Sequence, residues 1–234
     1  MSGHRPTFER EIALWNAGRT IVAGIDEAGR GPLAGPVVAA AVVFPAGAKP
    51  IRGLRDSKLL TPRKRERLVG VVWARALAVG VGAASVREID RLNIRRATIL
   101  AMQRALARLH LVPAGVLVDG LPLPELGCPH DAIVDGDVCC QSIAAASVVA
   151  KTVRDRLMRL LAQRHPEYAW ADNKGYGTPE HLDALNLCGA TRHHRMSFEP
   201  VAQLSLTPWP PLPSGEGERH STFVPLSGTE RGQG

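Results

Sequence analysis

The sequence predicts an α/β fold, and three observations lead to this class. Hydrophobic residues make up 45% of the 234 residues but aromatic residues only 4%, which favours an aliphatic α/β core over an aromatic-rich β-sandwich. Several short β-branched runs are bounded by glycine and proline, which is typical of strands. Longer stretches between these runs repeat apolar residues at helical spacing. The length suits one domain of ordinary size.

The first half of the chain is predicted to alternate helices and strands. In order, the predicted elements are a helix over 8–17, a strand over 20–25, a strand over 37–44, a helix over 62–73, a strand over 75–84 and a helical region over 85–109. The link between the first two strands is short, so they are expected to be antiparallel neighbours. Thr61 and Pro62 provide a cap and a favoured first residue for a helix. Ser85 and Glu88 form a capping box for the helical region that follows.

The second half continues the alternation and then changes composition. The predicted elements are a strand over 115–119, a strand over 132–134, a long helix over 142–164, an irregular segment over 173–177, a helix that begins at 178–179 and a basic loop over 192–195. From residue 205 the chain is rich in proline, glycine, serine and charge without periodicity, which predicts a disordered tail over 205–234. Residues 1–19 are expected to be a lead-in and residues 20–204 the one folded domain.

The chain is basic, with 29 Lys and Arg residues against 22 Asp and Glu residues and a sequence pI near 9.7. This excess favours a polyanionic partner such as nucleic acid. The N-terminus lacks the apolar segment of a signal peptide, and the longest apolar run, Val37 to Phe44, is too short to cross a bilayer. We therefore expect a soluble, cytoplasmic protein that does not bind membranes.

The four cysteines are Cys128, Cys139, Cys140 and Cys188. Their spacing contains neither a CxxC pair nor a metal-finger pattern, and a disulfide between adjacent cysteines would be strained. They are predicted to be reduced and mostly buried, without a metal or redox role.

Three predicted strands are followed by carboxylates. Asp26 and Glu27 follow the first, Asp119 ends another, and Asp137 follows the third with Asp135 beside it. Neighbours on a regular strand point to opposite faces, so the first two acids share one site only if the strand ends, bulges or twists there. An isolated Asp-Glu pair is more often a solvated turn. In a strand-helix sheet, however, functional groups gather at the edge where strands meet loops.

Four carboxylates at one edge repel one another unless cations neutralise them. Oxygen ligands without His or Cys suit the hard ions Mg²⁺ and Mn²⁺. Such a site typically holds two ions about 3.5–4 Å apart, one activating water and one stabilising the leaving oxygen of a phosphodiester. The pattern therefore predicts a two-ion site for phosphodiester hydrolysis, with Asp26, Glu27, Asp119 and Asp137 as its ligands.

Several motifs, taken together, resemble those of bacterial ribonuclease HII. They cover roughly residues 21–201, and the most specific is Asp26-Glu27-Ala28-Gly29-Arg30-Gly31-Pro32-Leu33-Ala34-Gly35-Pro36-Val37. The others, in family order, are Asp56-Ser57-Lys58-Leu59, Asn93-Ile94, Val118-Asp119-Gly120, Ser142-Ile143-Ala144-Ala145-Ala146-Ser147 with Ala150-Lys151, Arg154-Asp155 and Gly175-Tyr176-Gly177-Thr178.

This resemblance implies a ribonuclease H-like fold, a mixed five-stranded sheet flanked by helices, with a helical C-terminal region. It implies an endonuclease that hydrolyses the RNA strand of RNA–DNA hybrids. It also implies incision 5′ to single ribonucleotides embedded in duplex DNA, leaving 3′-hydroxyl and 5′-phosphate ends. We expect a monomer, and a replication clamp is a partner that the sequence does not reveal.

The resemblance also assigns roles to individual residues. Asp26, Glu27, Asp119 and Asp137 match the metal-binding acids of the family. Three residues, Gly29, Arg30 and Gly31, match the loop that reads the 2′-hydroxyl, the group that distinguishes RNA from DNA locally. The aromatic Tyr176 matches the residue that packs on the junction nucleotide.

Other residues receive weaker expectations. Lys58, Lys151 and Lys174 are candidates for contacts with substrate phosphates. A structural ion pair is expected for Asp155. The pair His193 and His194 is expected at the surface or on phosphates rather than on metal, because the oxygen donors already suffice. The chain departs from the family at Asp135, where relatives commonly carry lysine, so Asp135 is an alternative metal ligand, although the Gly-Asp order favours Asp137.

Other functions fit parts of the sequence. One is another nuclease of the same fold, such as ribonuclease HIII or a junction resolvase. Ribonuclease HIII would need an additional N-terminal substrate-binding domain, for which the residues before Ile21 leave no room. A second is a nucleic-acid-binding protein that uses the basic surface without catalysis. A third is a glycosidase with paired carboxylates, which would work without divalent metal, so chelation separates it from the nuclease.

Overall fold

A mixed five-stranded sheet forms the centre of the fold in the computed structural model, which describes residues 5–55 and 57–204. Its strands are β1 (Val22–Ala28), β2 (Val37–Val43), β3 (Ala78–Ala84), β4 (Gly115–Asp119) and β5 (Asp131–Ile133). They lie in the order β3-β2-β1-β4-β5. The pairs β1-β2 and β2-β3 are antiparallel, whereas β1, β4 and β5 run parallel. The predicted mixed sheet and the antiparallel first pair are confirmed.

Helices cover both faces of the sheet and continue beyond it toward the C-terminus. They are α1 (Glu9–Asn16), α2 (Pro62–Arg75), α3 (Val86–Leu92), α4 (Ile94–Ala107), α5 (Gly136–Cys139), α6 (Gln141–Arg164), α7 (Trp170–Asn173), α8 (Pro179–Cys188) and α9 (Val201–Leu204). The predicted start signals operate as expected. The Thr61 hydroxyl accepts a hydrogen bond from an amide in the first turn of α2, and Ser85 with Glu88 forms the capping box of α3.

Two aliphatic cores hold the helices on the sheet. On one face, Ala40 and Val42 of β2 pack with α6 and α2. On the other face, the alanines of α4 pack against β1, β2 and β3. Ala97, Ala101 and Ala105, which recur at helical spacing along α4, are all buried in this core. Removing this aliphatic surface from water at about 25 cal/mol per Å² is the main stabilising contribution of both cores.

A third core lies beyond the sheet, where α7, α8 and α9 meet the end of α6. Met158, Tyr168, Trp170 and Leu185 are buried there. The rings of Tyr168 and Trp170 stack at 5.0 Å between centroids. This core supports the segment that contains Tyr176, and it confirms the predicted helical C-terminal region.

The N-terminal helix α1 is fastened to the start of α6. Glu11 is buried, and its carboxylate accepts hydrogen bonds from the Ser142 amide at 2.8 Å and the Ser142 hydroxyl at 2.6 Å. Gln141 adds a hydrogen bond to the carbonyl of Pro6. A carboxylate is favourable at a helix N-terminus, where backbone amides lack partners. The contacts of α1 therefore fix the position of α6, which carries Ser147 toward the candidate site.

Several boundaries differ from the sequence prediction. The strand predicted to end at Ile25 continues to Ala28 because its residues remain paired with β2. The helical region predicted over 85–109 is two helices, because Asn93 has a φ of 70° and its side chain caps the second. The strand predicted from residue 75 begins at Ala78, since α2 extends to Arg75. The predicted disordered tail over 205–234 lies outside the described residues.

The cysteines are free, as predicted. Their predicted burial is wrong for three of them: Cys140 is buried, Cys128 and Cys139 are partly exposed, and Cys188 is exposed. Within residues 5–55 and 57–204, no helix combines the length and apolar character needed to cross a membrane.

Candidate active site

The register of β1 and β4 brings Asp26 and Asp119 to one edge of the sheet. Ile25 pairs with Val118 on the parallel strand, so the residues that follow are neighbours and project on the same face. Asp26 is only 6% exposed. Its carboxylate accepts hydrogen bonds from the Glu27 amide at 2.7 Å and from the side chain of Ser147 on α6. The structure therefore places two predicted site carboxylates side by side.

Glu27 leaves β1 on the opposite face from Asp26. The strand neither bulges nor ends at this pair, because both residues keep their register with β2. The register therefore excludes a bulge or a strand end at this pair, which leaves strand twist as the remaining route to a shared site. The Glu27 carboxylate accepts a hydrogen bond from Arg30 at 3.2 Å. The charge of Glu27 nevertheless raises the pKa of Asp26, and the charge of Asp119 raises the pKa of Glu27.

Asp137 reaches the same edge by a different route. It lies on the one-turn helix α5 rather than at a strand end, two residues into the turn that follows β5. The Gly136 amide donates to the Asp119 carboxylate at 2.7 Å, and the Asp137 amide donates to the same carboxylate. Asp137 is buried, whereas Asp135 is exposed with a φ of 55°. Burial thus distinguishes Asp137 from Asp135, although the two acids are only two residues apart in the sequence.

The four carboxylates form what we call the acidic edge: Asp26, Glu27, Asp119 and Asp137. Burial raises the pKa of Asp26 well above its usual range, and the charges of Glu27 and Asp119 raise it further. Burial also raises the pKa of Glu27, against the opposing charge of Arg30. Burial raises the pKa of Asp119 despite its hydrogen bonds from two backbone amides. The acidic edge therefore concentrates negative charge that its surroundings do not fully balance.

The donor set fits a hard divalent cation in kind, because all four groups are carboxylates. Their present orientation is not that of a complete ligand set, since the Glu27 carboxylate is turned to Arg30. Accordingly, no group of three or more His, Cys, Asp or Glu side chains in the described part of the chain is arranged to hold a metal ion. A bound cation would lower these raised pKa values, because its positive charge favours the ionised carboxylates.

The loop Gly29-Arg30-Gly31 follows β1 directly and meets Tyr176. Gly29 has a φ of 96°, and an added Cβ there would collide with the Arg154 side chain, so only glycine fits. A Cβ on Gly31 would lie 3.6 Å from the Tyr176 ring. Tyr176 as a whole is 47% exposed. The loop and the tyrosine thus form one surface beside the acidic edge.

Two buried arginines, Arg154 and Arg195, hold this loop, a role that no local sequence pattern indicates. Arg195 donates to the carbonyls of Gly29 at 2.5 Å, Arg30 at 2.7 Å and Gly35 at 2.9 Å. Arg154 donates to three more carbonyls, those of Ala34, Pro36 and Lys174. Burial lowers the pKa of Arg154 to about 10 and that of Arg195 to about 9, so both remain charged at neutral pH. We call residues 29–36 with these two arginines the clamped loop.

The three candidate lysines occupy different environments. Lys58 lies near the acidic edge, because its charge lowers the pKa of Asp119. Lys151 forms an ion pair with Asp155 at 2.7 Å, and Asp155 also pairs with Arg65 at 2.8 Å. The expected structural ion pair of Asp155 is thus present. Lys174 donates to the carbonyl of Ala171.

The expected surface position of the histidine pair is wrong for His194. His194 is fully buried, and its Nε2 lies 3.0 Å from Nε2 of His181. Burial lowers the pKa of His194 to about 3. His181 in turn hydrogen-bonds the carbonyl of Tyr176 at 2.8 Å through Nδ1. These histidines therefore support the Tyr176 segment from inside, while His193 remains partly exposed.

Comparisons with known proteins agree with one another. The family described as Ribonuclease HII matches residues 23–201. The chain is 54% identical over 201 residues to the ribonuclease HII of Ruegeria pomeroyi, covering 86% of this chain and 85% of that protein. The ribonuclease H2 from Pyrococcus horikoshii OT3 has a similar structure, with a TM-score of 0.68, 26% identity, and coverage of 79% of this chain and 96% of that chain. The ribonuclease HII solved with PCNA from Archaeoglobus fulgidus has a TM-score of 0.64, 25% identity, and coverage of 76% and 95%.

Proposed function

The chain belongs to the ribonuclease HII family, and we propose that its acidic edge performs the hydrolysis, with Asp26, Glu27, Asp119 and Asp137 as metal ligands. Membership makes the protein a ribonuclease H type endonuclease that degrades RNA in RNA–DNA hybrids. The observation that carries the site proposal is the β1-β4 register, which sets Asp26 beside Asp119. Both carboxyl groups have raised pKa values because they are buried and close to other acids.

The family implies dependence on divalent metal ions, and we propose two ions, Mn²⁺ or Mg²⁺, at the acidic edge. Bound there, such ions would activate a water molecule and stabilise the leaving 3′-oxygen. The protein's own contribution is to hold the ligands before binding. Asp26 is positioned by Ser147 and by the Glu27 amide, and Asp119 by the amide of Gly136. With the 3′-oxygen as the leaving group, the products carry 3′-hydroxyl and 5′-phosphate ends.

We propose that the clamped loop and Tyr176 read the 2′-hydroxyl, which extends the activity to incision 5′ to single ribonucleotides in duplex DNA. Gly29 and Gly31 lack a Cβ, so backbone amides and carbonyls can approach a sugar closely. The Tyr176 ring beside Gly31 offers an exposed face for the sugar at the junction. Arg154 and Arg195 position the loop and do not touch substrate, since their donors are engaged with carbonyls.

Further contacts are proposed for the basic residues around the site. Lys58 is placed to neutralise a phosphate near Asp119. Lys151 contributes positive charge near the substrate phosphates while it stays paired with Asp155. A replication clamp is proposed as a partner only by analogy with the Archaeoglobus fulgidus complex. We propose that the protein acts as a monomer.

The decisive experiment compares wild type with Asp26→Asn on an RNA–DNA hybrid and on a DNA duplex with one embedded ribonucleotide. With Mn²⁺ or Mg²⁺, the variant should lose cleavage by about 10³-fold or more, because one ligand of the reacting centre is gone. Binding of the duplex should persist. Chelation of divalent ions should abolish wild-type cleavage on both substrates.

Asp183→Asn, which removes an exposed acid on α8, is the matched control and should cleave as wild type does. If Asp26→Asn cleaves at the wild-type rate, the assignment of the acidic edge is wrong. If wild type cuts the hybrid but leaves the single ribonucleotide intact, the proposed extension to embedded ribonucleotides fails on its own.

A further inference from the structure

Two buried histidines connect the clamped loop to the Tyr176 segment. His194 lies on a segment that pairs with the loop, since it forms a β-bridge with Ala34. Its Nε2 lies 3.0 Å from Nε2 of His181 on α8, and Nδ1 of His181 lies 2.8 Å from the carbonyl oxygen of Tyr176. Both imidazoles are fully buried. They therefore link the two surfaces that are proposed to read the ribonucleotide.

Groups that can only donate hydrogen bonds determine which ring nitrogens carry protons. The backbone amide of Thr191 donates to Nδ1 of His194 at 2.9 Å, so the proton of a neutral His194 is on Nε2. The indole N–H of Trp170 is directed at Nε2 of His181 at 3.1 Å, so this nitrogen accepts and the proton of a neutral His181 is on Nδ1. The two assignments agree, because Nε2–H of His194 then donates to Nε2 of His181.

The contact between His181 and Tyr176 therefore has a defined direction. Burial lowers the pKa of both imidazoles, so both are neutral at neutral pH. The Nδ1–H of His181 then donates to the carbonyl of Tyr176. This carbonyl also accepts a hydrogen bond from the amide of Thr178 at 2.9 Å. The histidine is thus not needed to satisfy a buried acceptor, and its contribution is to fix where the carbonyl lies.

The position of this carbonyl matters because the ring of the same residue faces the loop. An added Cβ on Gly31 would lie 3.6 Å from the Tyr176 ring, so the gap between ring and loop is narrow. The two preceding carbonyls are held separately, one by Arg154 and one by amides of the clamped loop. His181 holds the third. A misplacement of about 1 Å at a site that orients a substrate can lower a rate by about 100-fold.

We propose that His181 is a specificity-determining positioning residue, whose Nδ1–H holds the carbonyl of Tyr176 so that the ring keeps the spacing from Gly31 that an RNA–DNA junction requires. His194 secures the necessary tautomer, because its Nε2–H donates to the acceptor nitrogen of His181. This inference rests on the proposed function, since it assumes that Tyr176 contacts the sugar at the junction. The interior of a hybrid has no junction, so the effect falls on single embedded ribonucleotides.

The test removes the two functions of the His181 ring separately. His181→Gln places an amide oxygen near the position of Nε2, so it keeps the acceptor for Trp170 and His194 and loses the donor to Tyr176. His181→Asn places an amide N–H near the position of Nδ1, so it keeps the donor and loses the acceptor. The measured quantity is the junction ratio, which is kcat/KM on a DNA duplex with one ribonucleotide divided by kcat/KM on an RNA–DNA hybrid. Melting temperatures are measured in parallel.

Selectivity and stability should respond to different variants. His181→Gln should lower the junction ratio by about tenfold and the melting temperature by less than about 2 °C, because the carbonyl still accepts from the Thr178 amide. His181→Asn should keep the junction ratio within about twofold and lower the melting temperature by about 4–8 °C, because the buried indole and imidazole donors lose their acceptor. His110→Gln, at an exposed histidine before β4, is the matched control and should change neither quantity.

Nitrogen-15 NMR of the imidazoles at pH 7.5 tests the tautomers directly. His181 should carry its proton on Nδ1, and His194 should carry its proton on Nε2. The opposite tautomer at His181 would overturn the proposal, because Nδ1 could not then donate to the carbonyl of Tyr176.

The proposal is also overturned if His181→Gln keeps the wild-type junction ratio, or if both variants lose the ratio and stability together, since the histidine then serves the fold alone. Tyr176→Ala separates this failure from that of the proposed function. If Tyr176→Ala keeps the wild-type junction ratio, the tyrosine does not read the junction and the proposed function fails. If Tyr176→Ala lowers the ratio and His181→Gln does not, only the role of His181 is refuted.

Discussion

The acidic edge and the clamped loop lie next to each other, and they bury charged groups in different surroundings. In the clamped loop, each buried arginine is surrounded by carbonyl oxygens, with Arg195 donating four hydrogen bonds and Arg154 three. At the acidic edge, burial raises the pKa values of Asp26, Glu27 and Asp119, and the charge of Asp119 raises those of Asp26 and Glu27 further.

This difference distinguishes a scaffold from a site. A buried charge whose hydrogen bonds are all satisfied within the chain fixes a structure, and removing it leaves unpaired groups. A buried charge that neighbouring charges oppose is costly to the free protein and is relieved only by a ligand. Removing charge from the clamped loop should therefore harm the fold, whereas removing charge from the acidic edge should harm activity alone.

The largest effect is expected within the acidic edge itself, where Asp137 and Asp135 differ. Asp137→Asn should reduce cleavage by about 10³-fold, because Asp137 is buried beside Asp119. Asp135→Asn should change it by less than about tenfold, since Asp135 is exposed. Single-turnover rates on a hybrid with Mn²⁺ measure both. Equal losses for the two variants would show that exposure does not separate ligand from neighbour here.

The next effect concerns the clamped loop. Arg195→Ala should lower the free energy of unfolding by about 3–5 kcal/mol, because it leaves buried carbonyls without donors and opens a cavity. Urea unfolding at pH 7.5 provides the measurement. Arg192→Ala, three residues away and exposed, should change stability by less than about 0.5 kcal/mol. If Arg195→Ala is as stable as Arg192→Ala, the clamp does not hold the fold.

An effect of pH on stability is expected at His194, the residue before Arg195 of the clamped loop. Burial lowers the pKa of His194 to about 3, so the unfolded chain binds a proton that the folded chain excludes between about pH 6.5 and pH 3. The stability due to neutral His194 is present above pH 6.5. As the pH falls below this value, the free energy of unfolding decreases by up to about 1.4 kcal/mol per pH unit. His194→Gln should flatten this acid-side slope in urea titrations. An unchanged slope would exclude His194 as its source.

Much of the fold could be predicted from the sequence because its signals are local. Glycine and proline bound the strands, and Thr61 and Ser85 mark helix starts. The carboxylates of the acidic edge were identifiable for the same reason, since each occurs close to a strand. Their grouping followed from the rule that strand ends meet at one edge of a sheet.

The parts that the sequence did not predict depend on distant contacts. β1 continues through Asp26 because β2 remains paired with it, not because of its own residues. The sequence places Arg195 in a basic loop, yet its partner Gly35 lies 160 residues away. The local sequence predicts a surface position for His194. Its burial against His181 and Trp170 arises only when the third core forms. No local pattern encodes these contacts.

The most direct test of the central claim is the thermal unfolding of wild type and Asp26→Asn at pH 8, with and without Mn²⁺. The folded state raises the pKa of Asp26, so its ionised form destabilises the free protein as the pH rises, and the variant lacks this cost. Without divalent ions the variant should melt higher than wild type, by about 2–4 °C for each kcal/mol of relieved repulsion. Mn²⁺ should raise the melting temperature of wild type and leave that of the variant nearly unchanged. A variant that melts lower than wild type without ions and gains as much from Mn²⁺ would contradict the account.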